Sequence, residues 1–272
     1  MKKILLSSLV LASAMFAADT DLNMATTTST ADTGLLDAMV EVYKADTGVD
    51  VKFTAVGTGA ALKLGQDCNA DILFVHSPKV EKEFVEKGYG VERKPVMYND
   101  FVLIADRSIA DKFKGKDLKA SLELIKAENI KFVSRGDKSG TDNKEKGLWK
   151  KAIGEVPEKD GFYTQIGQGM IATINAAAEQ KGVTLTDRGT YIKYESNKNG
   201  NPEMVIINEG DNDLKNFYSV IAVSPKHCAK TDIENANRFI KWITSPKGQE
   251  FIGAFKLMNK PLFTPDAATR AN

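Results

Sequence analysis

Short apolar segments of two kinds alternate along almost the whole chain. Residues 71–75 (DILFV) are apolar without interruption after the first position, which is typical of a buried strand. Residues 36–43 instead repeat apolar side chains at the spacing of one helix face, and Gly48 ends that helix. Further strand-like segments, each followed by a helix-like one, lie at 51–56, 130–133 and 162–166. Because strands that alternate with helices form parallel sheets covered on both faces, the sequence predicts an α/β fold.

Two strand-like segments of similar character indicate how the chain is divided. Residues 99–105 and 216–223 are strongly apolar, and each follows a polar turn. If the chain leaves one lobe on the first segment and returns on the second, residues 19–104 and 220–272 form lobe I and residues 105–219 form lobe II. The alternative is that both segments are ordinary core strands of one sheet. Hydrophobic periodicity alone does not separate these two arrangements.

The N-terminal segment has the three-part pattern of a secretory signal peptide. Met1-Lys2-Lys3 is basic, residues 4–16 are mostly small and apolar, and polar sequence resumes after Ala17-Ala18. The apolar part is shorter than the ~20 residues that a membrane-spanning helix needs. No cysteine follows it that would carry a lipid anchor. We therefore expect residues 1–17 to be removed on export and the remainder to be a soluble periplasmic protein.

The charge of the chain limits its partners. Removal of the signal peptide changes the formal net charge from +1 to −1, because that segment contains two lysines and no acidic residue. A chain without an excess of basic residues is not expected to bind nucleic acid in general. A site for an anion would therefore be a local arrangement of donors rather than a property of the whole surface.

The chain has two cysteines, Cys68 and Cys228. In an oxidising compartment this even number is consistent with one disulfide, and two buried thiols are the alternative. The two histidines, His76 and His227, do not have the spacing of metal ligands relative to the cysteines, so the sequence predicts no metal site.

Two loops rich in hydroxyl groups or glycine come directly before helix-like segments. They are residues 25–30 (ATTTST) and 134–141 (SRGDKSGT). A helix N-terminus presents free backbone N–H groups and the positive end of the helix dipole, and both favour an anion. Arg135 adds a planar fork of donors suited to a tetrahedral oxyanion. The turns at 56–59 and 167–170 also join a strand to a helix.

These loops predict one oxyanion held between two lobes by hydrogen-bond donors. The alternatives are local: the hydroxyl groups of 25–30 serve only to cap a helix, and Arg135 pairs with Asp137. A site made of donors alone would discriminate against phosphate, which carries a proton near neutral pH and needs an acceptor. Tungstate and molybdate carry no such proton and are nearly the same size, so the residues themselves do not separate these two anions.

Residues 167–172 (GQGMIA) support a competing function. They fit the G-x-G-x-x-A fingerprint of dinucleotide-binding proteins after a strand, and Asp187 follows about twenty residues later, where an acidic residue contacts the ribose. An exported enzyme would meet little NAD, which argues against this function. Hydrolase motifs are missing from the sequence as well, so we expect neither catalysis nor a cofactor.

Seven segments jointly resemble those of the tungstate-binding protein family, in the same order along the chain: 26–29, 34–36, 55–62, 96–101, 132–141, 167–170 and 186–191. The resemblance implies a type II periplasmic binding protein fold, in which two crossover strands join two lobes and the ligand lies in the cleft. It also implies a monomeric receptor of an ABC transporter that delivers tungstate, or secondarily molybdate, to a membrane permease driven by an ATPase.

Carried over to this sequence, the resemblance implies ligand contacts from loops on both lobes, with the tungsten held only through its oxo groups. The implied residues are Thr28, Ser29, Thr58, Arg135, Ser139, Gly140, Thr141, Met170 and Arg188. One segment departs from the family pattern, because residues 66–69 (QDCN) replace a turn that is usually rich in glycine. That departure favours a disulfide between Cys68 and Cys228.

Overall fold

The structure, a computed structural model, describes residues 21–268, so the expected signal peptide lies outside the described residues. The strands are β1 (Asp21–Thr27), β2 (Asp50–Val56), β3 (Ile72–Val75), β4 (Gly90–Asp106), β5 (Phe132–Ser134), β6 (Tyr163–Gln165), β7 (Val183–Asp187), β8 (Met204–Asn208), β9 (Lys215–Val223), β10 (Lys256–Leu257), β11 (Lys260–Pro261) and β12 (Thr264–Pro265).

The helices are α1 (Thr28–Ala31), α2 (Leu35–Thr47), α3 (Thr58–Gln66), α4 (Pro78–Glu86), α5 (Leu118–Ala127), α6 (Gly140–Ile153), α7 (Met170–Glu179), α8 (Arg188–Asn197), α9 (Ile233–Ile243) and α10 (Pro246–Ala254), with 3₁₀ turns at Ala110–Phe113 and Asn212–Leu214. Among residues 21–268, no helix has the length and hydrophobicity of a membrane span.

The long strand β4 takes part in two sheets. Its residues 90–100 pair with β9, whereas residues 101–105 pair with β7. The strand order is β2-β1-β3-β9-β4-β7-β5-β6, and β8 and β12 also pair with β4. Residues 21–100 and 215–265 therefore build the first sheet, and residues 101–208 build the second. The second sheet begins within β4 at residue 101, and the first sheet resumes with β9 at residue 215. Each position lies a few residues before an expected lobe boundary, at 104/105 and 219/220.

The sheets are mixed rather than fully parallel. β1, β2 and β3 run parallel to one another, as do β5, β6 and β7. The central strands β4 and β9 are antiparallel to each other and to their outer neighbours. The expectation of parallel sheets therefore holds for the outer strands and is wrong for the two central ones.

The first half of β4 lacks the pattern of a strand. Residues 90–98 contain Glu92, Arg93 and Pro95, and proline cannot donate to a ladder. The structure accommodates it at an irregularity in the register with β9, between Pro95 and Met97.

The last long helix packs on the first lobe, as its apolar face predicts. The ring of Tyr43 in α2 lies 5.0 Å from that of Phe239 and 5.2 Å from that of Trp242, both in α9. Thr231 and Glu234 have the sequence spacing of a capping box, but they do not form one. The N-cap is Asp232, whose carboxylate accepts a hydrogen bond from the backbone of the third helical residue.

Cys68 and Cys228 form a disulfide, which confirms the expectation from the sequence. The bond joins the turn after α3 to the loop before α9, across a sequence separation of 160. His227 lies beside it, and its ring nitrogen bonds the carbonyl of Gln66 at 2.8 Å. The fold thus brings this histidine to the two cysteines, a proximity that the sequence spacing of the cysteines and histidines does not reveal.

Replacing both cysteines by serine is expected to lower the free energy of unfolding by about 3–5 kcal/mol, because the bond closes a very long loop in the unfolded chain. For a protein of this size we expect a melting temperature lower by on the order of 10 °C. Calorimetry measures the melting temperatures of the parent protein, with and without a reducing agent, and of the variant. A melting temperature equal to that of the oxidised parent would contradict the prediction.

Candidate functional site

A cavity of about 340 Å³ lies where the two lobes meet. Five residues of its wall come from lobe I: Thr28, Ser29, Asp32, Thr33 and Leu257. Eight come from lobe II: Arg135, Gly169, Met170, Ile171, Asp187, Gly189, Thr190 and Lys193. The wall combines hydroxyl groups, helix starts and two cationic side chains, which is a composition suited to an anion.

Four of the residues predicted as ligands line this cavity, namely Thr28, Ser29, Arg135 and Met170. The other five do not line it, and their roles stay predictions: Thr58, Ser139, Gly140, Thr141 and Arg188. Thr58 begins α3 after β2, which is the edge strand of the first sheet.

The guanidinium of Arg188 is occupied by two carboxylates. Its Nε and Nη2 lie 2.5 and 2.6 Å from the two carboxylate oxygens of Asp100, and Nη2 also lies 2.6 Å from Glu209 Oε2. These hydrogen bonds raise the pKa of Arg188 further, so the side chain is permanently charged. Because Arg188 begins α8 and Asp100 lies where β4 passes from the first sheet to the second, this ion pair connects α8 to that point of β4.

Loop 25–30 both caps a helix and faces the cavity. Thr27 is the N-cap of the four-residue α1, and its hydroxyl accepts from the backbone N–H of Thr30. The next two residues, Thr28 and Ser29, line the cavity. Residues 28–31 thus form the short helix α1, which precedes α2, the helix that the sequence predicted directly after this loop.

Arg135 combines the two roles that its sequence context allowed. Its Nε and Nη2 each lie 2.9 Å from Asp137 Oδ2, while the residue lines the cavity. Partial burial alone would raise the pKa of Asp137, but hydrogen bonds from Ser139 and the charge of Arg135 lower it overall. A guanidinium has five N–H donors, so this pairing leaves others available to an anion.

The loop that carries Arg135 is fixed from both ends. Gly136 has φ +63°, and a Cβ there would lie 2.7 Å from Gln165 Cβ, so only glycine fits. Ser139 is the N-cap of α6 and accepts from the N–H of Asp142 at 3.2 Å, and Asp142 in turn accepts from Lys138 N at 3.0 Å. The hydroxyl of Ser139 therefore caps α6, and Asp142 and Glu145, which have the sequence spacing of a capping box, do not form one.

The start of α7 is open to the cavity. Its N-cap, Gly169, provides no side-chain hydrogen bond, so the first-turn N–H groups have no partner within the helix. Gly169, Met170 and Ile171 all line the cavity. Such uncapped N–H groups, at the positive end of the helix dipole, are suited to binding an anion.

The same segment lacks the topology of a dinucleotide-binding unit. In that unit the strands before and after the glycine-rich helix are neighbours. Here β5 lies between β6 and β7. The carboxylate of Asp187 accepts from the N–H and the hydroxyl of Thr190 at 2.8 and 2.7 Å, so both its oxygens are already used to cap α8. The competing enzymatic function therefore receives no support.

His76, which received no role from its sequence context, contacts the hydroxyl groups of loop 25–30. His76 Nε2 lies 3.0 Å from Thr27 Oγ1 and 3.2 Å from Ser29 Oγ, and Nδ1 lies 3.1 Å from Asn216 Oδ1. Burial lowers the pKa of His76, so the ring is neutral at pH 7. With Nδ1 donating to Asn216, Nε2 accepts from a hydroxyl and orients the cluster. The sequence offered one signal for this role of His76: the residue directly follows β3, and β3 pairs with β1, the strand that ends at Thr27.

Lys193 is a second cationic residue of the cavity wall, and the sequence patterns did not identify it. Lys193 Nζ donates to the backbone carbonyl of Asp32 at 2.6 Å, from α8 in one lobe to the turn after α1 in the other. Both residues line the cavity. The wall also contains carboxylates, those of Asp32 and Asp187, so the site is not composed of donors alone.

Residues 17–247 match the family model described as a PBP superfamily domain. The tungstate-binding protein TupA of Campylobacter jejuni is 65% identical over 242 residues, which cover 89% of this chain and 90% of that protein. The chain belongs to the PBP superfamily and, within it, to the TupA family.

Two solved structures of this family are similar to the whole fold. The tungstate-binding protein TupA of Desulfovibrio alaskensis G20 has a TM-score of 0.89 at 53% identity, covering 91% of this chain and 99% of that one. The tungstate ABC transporter protein of Geobacter sulfurreducens has a TM-score of 0.74 at 42% identity, covering 86% and 98%. They confirm the type II periplasmic binding protein fold.

A buried carboxyl group lies beneath the arginine loop. Glu145 is 3% exposed and accepts a hydrogen bond of 2.6 Å from the hydroxyl of Tyr163. Burial is the largest effect on this carboxyl, and it raises the pKa of Glu145 to about 7 from 4.5. Asp142 adds to this shift, whereas Lys146 opposes it.

The stability of the protein is expected to fall as pH rises toward neutrality. Because the folded-state pKa of Glu145 exceeds the unfolded value, the folded protein binds more protons between them, and the stabilisation is lost as pH rises through about 7. Between about pH 4.5 and 8 the wild type should lose about 3 kcal/mol more than Glu145→Gln. Urea unfolding at several pH values tests this, and parallel profiles would contradict it.

Proposed function

We propose that the protein is the periplasmic receptor of an ABC transporter, which captures tungstate between its lobes and delivers it to a membrane permease driven by an ATPase. The cavity wall carries the proposal, because lobe I hydroxyl groups, the open start of α7 and Arg135 meet there. The relatives named above are tungstate-binding proteins, which supports tungstate as the ligand.

The proposed contacts are hydrogen bonds to the oxo groups of the anion, without a protein ligand on tungsten itself. Tungstate is a fully deprotonated dianion near neutral pH, so each oxygen accepts hydrogen bonds. Thr28, Ser29 and the first N–H groups of α7 supply neutral donors, and Arg135 supplies charged ones. Molybdate has nearly the same size and charge and is the second ligand of this proposal. The protein acts as a monomer without a cofactor or a catalytic step.

A thermal-shift screen with tungstate, molybdate, sulfate, phosphate and NAD tests the ligand class. A ligand at 100 times its Kd stabilises the folded state by about 2.7 kcal/mol through mass action. We expect tungstate and molybdate to raise the melting temperature more than sulfate and phosphate, and NAD to leave it unchanged. A response to NAD alone would favour the dinucleotide-binding enzyme, and a response to phosphate alone would identify a different oxyanion receptor.

Arg135→Ala is expected to weaken tungstate binding by about 2–3 kcal/mol, because a charge-assisted contact is lost. Isothermal titration calorimetry measures the change. Arg107→Ala is the matched control, since this arginine of the same lobe donates to the carbonyl of Pro202 outside the cavity. Unchanged affinity in Arg135→Ala would remove Arg135 from the site.

A double variant separates the lost donor from the carboxylate left behind. Arg135→Ala leaves Asp137 without its cationic partner beside the cavity, and this negative charge repels the anion. Asp137→Asn removes the charge and keeps an oxygen that can accept from Ser139 N. The double variant should still bind weakly. Recovery of full affinity would show that the uncompensated carboxylate, not the missing guanidinium, caused the loss.

A further inference from the structure

We propose that Lys193 is a second cationic ligand of the bound dianion, and that its ammonium group also ties the two lobes together across the cleft. The proposal rests on the proposed function, since it concerns the same cavity. It adds a residue that neither the loop motifs nor the family resemblance identified.

The ammonium group of Lys193 lies at the cavity wall, next to a loop of lobe I. Lys193 lies in the second turn of α8, whose first residues form part of the cavity wall. Its Nζ donates to the carbonyl oxygen of Asp32 at 2.6 Å. Asp32 is itself fixed, because its N–H donates to the carbonyl of Thr28 at 2.8 Å. The ammonium therefore lies beside the lobe I loop that supplies Thr28 and Ser29.

The cationic side chains near the cavity differ in how they are paired. Arg135 is paired with Asp137, and Arg188 with Asp100 and Glu209. Within residues 21–268, no carboxylate oxygen lies within ion-pair distance of Lys193 Nζ. An ammonium has three N–H donors, and the bond to Asp32 uses one, which leaves two for an anion.

A dianion brings two negative charges into the cavity, and Arg135 and Asp137 together contribute no net charge beside it. Lys193 supplies a positive charge to a wall that also contains the carboxylates of Asp32 and Asp187, and its Nζ bonds a carbonyl oxygen rather than either carboxylate. Its lobe I partner is a neutral carbonyl, so the ammonium keeps its full charge while it bridges the lobes. An anion bound to Lys193 thus favours the arrangement in which the lobes are joined.

Three variants test the role of the ammonium by tungstate titration calorimetry, with circular dichroism to verify folding. Lys193→Met removes the charge at similar length, and methionine is a good helix former. Lys193→Arg restores a cation. Lys260→Met is the control, since Lys260 pairs with Glu195 of the same helix across the lobes but does not line the cavity.

We expect Lys193→Met to weaken tungstate binding by about tenfold or more, as for a lost charge-assisted contact. Lys193→Arg should recover most of the affinity, and Lys260→Met should stay within about twofold of wild type, as for an exposed ion pair. Unchanged affinity in Lys193→Met would overturn the proposal. So would an equal loss in Lys193→Arg, or an equal loss in Lys260→Met. Failure of the wild type to bind tungstate would instead overturn the proposed function.

Discussion

The antiparallel pairing of β4 with β9 is the interaction on which both lobes and the cleft depend. Residues 90–100 of β4 form the ladder with β9 in the first sheet, and the same strand continues into the second sheet at residue 101. Motion of one lobe relative to the other would therefore bend β4 near residue 100. Asp100 lies at that change of sheet, and its bidentate pair with Arg188 connects the hinge to α8, the helix that carries Lys193.

The position of the cavity follows from the direction of the outer strands. β1, β5 and β7 end at Thr27, Ser134 and Asp187, and the residues that follow them supply most of the wall. Ligands of open α/β sheets bind outside the carboxyl ends of the strands, where loops meet helix N-termini. Two sheets joined through β4 bring two such edges together, so donors separated widely in sequence converge on one small volume.

The sequence predicted the features that are local in the chain. It identified loops 25–30 and 134–141 and the helix face of residues 36–43, because capping residues and helical spacing are properties of neighbouring residues. The contacts that it missed are long-range. Lys193 meets Asp32 over 161 residues, and His76 meets Asn216 over 140.

The missed part of β4 has an equally specific cause. Its first half was missed because Pro95 and its charged neighbours break the alternation that marks a strand. Thr58 is a different case, because its role as a ligand stays a prediction. It was predicted from a turn whose residues resemble an anion loop. The order β2-β1-β3 puts that turn at the edge of the sheet, one strand away from the loop that lines the cavity. Register and strand order depend on tertiary packing, which no local pattern encodes.

An anion site must also be stable without its ligand, and this requirement explains which donors line the cavity. Unpaired cations in a partly buried cleft are unfavourable without a ligand. Arg135 is paired with Asp137, whereas Lys193 donates to a carbonyl. The open N–H groups of α7 act differently, because they attract an anion through fixed dipoles and need no counter-ion when the site is empty. A wall built largely from hydroxyl groups and helix starts can thus receive a dianion while the empty protein stays stable.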